Sequence, residues 1–126
     1  QKLNTFHFDI NITKGNLDSL RTFFTEKRDF ILLLLQNPSL LEHDTFTDLL
    51  WAITHLNDEL ACRDHCVEIL DSDLKHLAGD MRRAYVLLLQ EWLEYMNHLR
   101  VNYPYLFSLA IRMNPFNPDA SPVVKV

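Results

Sequence analysis

Leu74, Leu77, Met81, Tyr85, Leu88, Trp92, Tyr95 and Leu99 recur at intervals of three and four. A helix carrying them keeps one face apolar for about seven turns, roughly 40 Å at 1.5 Å per residue. A stripe of that length needs other apolar surfaces along it, so the rest of the chain must supply helices or an extended segment to cover it. The pattern stops at Tyr103-Pro104, and Pro104 suits the first turn of a short helix that buries Leu106, Phe107 and Ile111. Asn114-Pro115-Phe116 ends that helix and opens an extended tail over 114–126.

Upstream, the chain reads in the same helical idiom. Leu17, Leu20, Phe24, Ile31 and Leu35 form the stripe of a first helix from Leu17 to Gln36, ended by Asn37-Pro38. Ile31 to Leu35 is apolar all round, which fits either a helix end buried between layers or a contact between subunits, with burial the commoner outcome. A second helix starts at Asp44 or Thr45, where Thr45 and Asp48 resemble a capping box, and ends around Arg63. Its core stripe is Phe46, Leu49, Ile53, Leu56 and Leu60, and residues 64–72 connect it to the long helix, capped by Ser72 or Asp73. Only 2 of the 126 residues are glycine, which suits helices better than a turn-rich β fold. Gly79 inside the long helix points to a close crossing that a Cβ would block.

The N-terminus differs. Phe6, Phe8, Ile10 and Ile12 alternate with polar residues, the period of a strand, but no partner strand follows. The expectation is therefore an all-α domain spanning 1–126, with about four helices, one of them long. An extended arm occupies 1–15, a helical body 16–113 and the tail 114–126. The unpaired arm is a reason to expect self-association, because a lone strand seeks an edge on another copy.

Composition narrows the function. The net charge of −5 argues against a nucleic-acid partner, whose domains carry a basic face. No apolar run approaches the roughly 20 residues of a membrane span, so this piece is expected to be soluble by itself. Cys62 and Cys66, four apart, are poorly placed for a disulfide in a helix and read as free thiols. Neighbouring His65 and Cys66 diverge at successive helical positions and make no catalytic pair. Trp51, Trp92, Tyr85 and Tyr95 are spaced as core or interface anchors, more often core. No nucleophile elbow and no phosphate-cradling glycine loop is present, so neither an enzyme nor a cofactor is implied.

One constellation has metal-ligand spacing. His55 and Glu59 on the second helix, and Glu94 and His98 on the long one, are pairs four apart, and two facing pairs supply four ligands. Both pairs lie away from the apolar stripes, so surface ion pairing is the ordinary account. Asp71, Asp73 and Asp80 read as an acidic patch compensating a helix dipole, and Arg82 and Arg83 as surface cations.

The phrases FHFDINIT, NPSLLEHDTFTDLLWAITHLNDEL, HLAGDMRRAYVLLLQEWLEYMNHL and NYPYLFSLAIRMNPF resemble a soluble helical domain found with prokaryotic ion-channel proteins of the two-transmembrane, potassium-channel-like type. That resemblance implies a non-catalytic accessory on the cytoplasmic face of a pore-bearing parent chain, acting in subunit assembly or gating as a homo-oligomer. The filter signature Thr-Val-Gly-Tyr-Gly is absent, so no conducting residue carries over. The contact residues expected on this reading are Phe6, Phe8, Ile10, Leu33, Tyr103, Tyr105 and Phe116. The alternatives are a metal- or small-molecule-binding bundle built on His55, Glu59, Glu94 and His98, and a stand-alone oligomeric scaffold.

Overall fold

A computed structural model describes residues 14–63 and 69–125. The chain is all-α: α1 (Lys14–Leu35), α2 (Pro38–Leu41), α3 (Asp44–Ala61), α4 (Asp71–Asn102) and α5 (Pro104–Arg112). No strand occurs among the described residues; of the extended arm expected at 1–15, residues 1–13 lie outside them, and Lys14 and Gly15 are helical, the first residues of α1. No helix among the described residues is long and apolar enough to cross a membrane. The chain divides into two compact units, one up to Leu89 and one from Gln90, with α4 running through the boundary.

Local chemistry sets the helix ends. Pro38 breaks α1 but starts the single turn of α2, with Asn37 as its cap accepting a 3.0 Å bond from the Ser39 amide. That turn was not anticipated from the sequence. α3 begins at Asp44, and its N-cap, His43, makes no side-chain capping bond. The capping box expected from Thr45 and Asp48 is therefore not used, since helix already includes Thr45. Thr47 instead donates to the Leu41 carbonyl at 3.0 Å and ties α3 to α2.

In the first unit, Leu17 of α1, Ala52, Leu56 and Leu60 of α3, and Leu77 and Ala84 of α4 form one buried cluster. Leu20, Phe24, Ile53, Leu74 and Met81 pack against it. Leu77 is 0% exposed and sits at the centre of this arrangement. Burying such a side chain contributes about 1.5–3 kcal/mol.

Several expectations about burial are corrected. The buried line of α4 runs through Leu77, Asp80, Ala84, Leu89, Met96 and Leu99, while Leu88 and Tyr95 face solvent. A stripe drawn through the largest side chains slips off the buried face, because Ala84 and Asp80 hold positions that size and polarity hide. Trp51 is likewise exposed rather than a core anchor. The end of α1 is not enclosed: Ile31 is buried, but Leu32 is exposed and Leu33 is 65% exposed. A Cβ built on Gly79 meets nothing within 4 Å, so no close crossing explains that glycine.

The second unit holds the last turns of α4, α5 and the tail. α5 buries none of its residues, which corrects the expectation for Leu106, Phe107 and Ile111. After it the chain makes successive turns rather than an extended run, with the Ser121 amide returning to the Arg112 carbonyl at 3.1 Å. Arg112 Nε also donates to the Pro122 carbonyl at 3.0 Å, and Phe116 meets Trp92 edge-on at 5.3 Å between centroids.

Two substitutions test this packing. Leu77→Ala leaves a cavity in the central cluster and should cost about 2–5 kcal/mol in urea unfolding. Gly79→Ala should stabilise by about 1 kcal/mol, because an open, exposed helical site gains propensity without a clash. A loss of stability from Gly79→Ala would contradict the open space found there.

Candidate functional site

Four titratable side chains meet where α3 and α4 face each other. α3 contributes His55 and Glu59, one turn apart, and α4 contributes His76 and Asp80 at the same spacing. The helical repeat puts residues four apart on one face, so each helix presents one imidazole and one carboxylate to the other. One donor atom from each residue lies within 4.8 Å of all the others.

Four of the separations form a closed ring. His55 Nε2 lies 3.5 Å from Glu59 Oε1 and 3.2 Å from Asp80 Oδ2. His76 Nε2 lies 3.1 Å from Glu59 Oε1 and 3.4 Å from Asp80 Oδ2. Asp80 forms the floor at 5% exposure, Glu59 is partly buried, and the two imidazoles are half exposed. Asp80 Oδ2 is buried and has no aligned hydrogen-bond donor, although both imidazole nitrogens are near it.

The outer oxygens of both carboxylates are held by arginine. Arg83 Nη1 donates to Asp80 Oδ1 at 3.0 Å, and Arg63 Nη1 donates to Glu59 Oε2 at 2.7 Å. Arg63 also forks onto Asp73, with Nη2 to Oδ1 at 2.6 Å and Nε to Oδ2 at 2.8 Å. This bidentate pair clamps the residues after α3 to the first turn of α4. Asp71, Asp73 and Asp80 therefore do not act as one patch: Asp73 belongs to the clamp and Asp80 to the ring. Arg83 is not simply a surface cation.

The charges shift one another in consistent directions. Arg63, and then His76, hold the Glu59 carboxyl below its ordinary 4.5. The Arg63 fork lowers Asp73 from 3.8 and is itself strengthened as a cation. The hydrogen bond to Glu59, and then the Asp80 charge, raise His76 above 6.5.

The sequence had marked half of this ring. His55 and Glu59 belong to it, but Glu94 and His98 join no cluster of metal-ligating side chains among the described residues. His98 instead packs on Tyr103 at 5.8 Å and meets the Asn102 side chain at 3.1 Å. Reasoning from sequence missed His76 and Asp80, although the same spacing of four, on either side of buried Leu77, was available as a signal. Cys62 is exposed, and Cys66 and His65 lie outside the described residues.

The expected contact residues fall in two groups. Phe6, Phe8 and Ile10 lie outside the described residues. Leu33, Tyr103, Tyr105 and Phe116 are all exposed, and Tyr105, at 72%, is one of a set on α5 that includes Leu106, Leu109 and Ile111. Among these, Tyr103 and Tyr105 meet edge-on at 6.5 Å.

These features define an all-α domain with an imidazole–carboxylate ring between two helices and a separate apolar helix surface. Residues 1–112 match the family model described as "Uncharacterized protein MJ1433, C-terminal helical domain", and the chain belongs to that family. It is 45% identical over 115 residues to "Uncharacterized protein MJ1433" of Methanocaldococcus jannaschii, covering 91% of this chain. The match spans 47% of that relative, so the chain corresponds to about half of its length. No solved structure matches. Neither description mentions a channel or ion transport.

The metal-free ring should leave a signature in stability against pH. The raised His76 contributes stability that is full below 6.5 and lost as pH climbs through its folded value. The lowered Glu59 and Asp73 contribute stability present above 4.5 and 3.8, lost as pH falls through their folded values. In chelator-treated protein, His76→Gln should flatten the fall in urea midpoint above pH 6.5 relative to the parent chain, while keeping the acid-side fall. An unchanged alkaline limb would contradict the Glu59–His76 interaction.

Proposed function

We propose that this domain is a non-catalytic assembly module that pairs with a second copy of itself through the α5 surface. One observation carries the reading: α5 has no buried residue, yet Tyr105, Leu106, Leu109 and Ile111 stand exposed on it. A short helix that is apolar around much of its circumference has little reason to form unless something covers it. Its single charge, Arg112, is engaged by Ser108 and the Pro122 carbonyl. With Arg112 held back onto those groups of its own chain, the apolar residues of α5 are left to meet their copies across a two-fold axis. Tyr103, which meets Tyr105 edge-on, and Phe116, both expected as contacts from the sequence, flank α5 in the chain and are exposed as well.

The pore-bearing parent implied by the phrase resemblance has no counterpart in the family's description, and the assembly reading stands without it. Accessory service to a potassium-channel-like pore would be a special case, visible as two apolar spans of about 20 residues around a filter loop in the parent chain.

Light scattering on the eluting protein tests the module. The chain should run at twice its monomer mass at micromolar concentration. Tyr105→Asp should return it to monomer with its far-ultraviolet helix signal retained. A monomeric parent chain, or a dimer indifferent to Tyr105→Asp, would overturn the reading.

A further inference from the structure

The ring of His55, Glu59, His76 and Asp80 has more order than ion pairing requires. Ion pairs on a protein surface contribute little, and they do not need four donors facing one point. Here each helix supplies one nitrogen and one oxygen, and the four separations around the ring fall between 3.1 and 3.5 Å. A tetrahedral zinc ion with bonds of about 2.0–2.2 Å holds its donors about 3.3–3.6 Å apart. The four sides of the ring match that spacing to within a few tenths of an ångström, and the two diagonals, no longer than 4.8 Å, shorten to it as the half-exposed imidazoles turn onto the ion.

A second observation is independent of the spacing. Asp80 Oδ2 is buried in a residue 5% exposed and has no aligned donor, an expensive state for a carboxylate oxygen. It is turned toward the same point as the other three donors. The remaining oxygen of each carboxylate is occupied by Arg83 or Arg63, which fixes which oxygen stays available. Outer partners of this kind orient metal-ligating carboxylates in protein metal sites.

We propose that His55 Nε2, Glu59 Oε1, His76 Nε2 and Asp80 Oδ2 bind a divalent transition-metal ion, zinc foremost, that joins α3 to α4. Two neutral imidazoles and two carboxylates balance the charge of the ion itself, and the Arg83 guanidinium stays on the outer oxygen of Asp80. Two imidazoles favour zinc over magnesium or calcium, which take six or more oxygen donors. Four protein donors fill a tetrahedral shell, the pattern of a site that holds structure rather than activates water. The ion cross-links two helices whose intervening connector is residues 62–70, and its binding energy adds to folding.

The test uses the chain stripped with a chelator, then dialysed against a small excess of zinc sulfate and analysed for bound metal. One zinc per chain should be retained, with a raised thermal midpoint. His76→Gln, at a half-exposed position, should weaken zinc binding at least tenfold while circular dichroism stays unchanged. Arg83→Ala should weaken it about 10–100-fold as loss of an orienting partner. The pairs Glu94→Ala with His98→Ala, and Cys62→Ser with Cys66→Ser, should leave it intact. Absence of retained zinc, retention indifferent to His76→Gln, or loss on the cysteine change would each overturn the site.

Discussion

Asp80 is the constraint around which the first unit is arranged. Its carboxylate occupies the buried line of α4, one turn from the fully buried Leu77 and one from Ala84. A charge taken that far from water costs several kcal/mol unless neighbours compensate it. Arg83 serves one oxygen, and the imidazoles of His55 and His76 border the other. This requirement fixes how far along α4 the His55–Glu59 turn of α3 must stand, because only one register places both histidines over Asp80. The apolar cluster of Leu56, Leu60 and Leu77 supplies the adhesion, whereas the polar ring supplies the alignment.

Arg63 closes the same pair of helices at their near ends. Its fork on Asp73 and its bond to Glu59 link the end of α3, the start of α4 and the ring in a single network. Glu59 is thereby oriented from outside while its other oxygen points inward. A metal ion held by the ring completes this arrangement, since it meets the remaining demand of Asp80. The second unit has a different character. Its α5 enters no ion pair among the described residues, Arg112 bonding only the Ser108 hydroxyl and the Pro122 carbonyl, and it shows apolar side chains to solvent.

Most of the fold was legible because long apolar periodicity and proline breaks are local signals. The helix limits Leu17–Gln36 and Asp44 to about Arg63 fall within three residues of α1 and α3, and Pro104 marked the start of α5. The burial of α4 was read less well. Its stripe was drawn through Tyr85, Leu88 and Tyr95, although Ala84 and Asp80 hold the buried positions. Residue size misleads where a small side chain permits close approach and where a charge is compensated by groups from another helix. The site was half legible for the same reason. The spacing of His55 and Glu59 was visible, but which residues of α4 face them depends on helix register, a tertiary property. Glu94 and His98 have the same spacing as His76 and Asp80, and only packing on Leu77 distinguishes the two pairs.

The most direct measurement is X-ray absorption at the zinc edge of the zinc-loaded chain. The site predicts a first shell of four nitrogen and oxygen donors at about 2.0–2.2 Å, with outer scattering from two imidazole rings. A shell containing sulfur at about 2.3 Å would assign the metal to Cys62 or Cys66 instead. Six oxygen donors without imidazole scattering would show a loosely held, hydrated ion. Either spectrum would contradict the metal-joined pairing of α3 and α4.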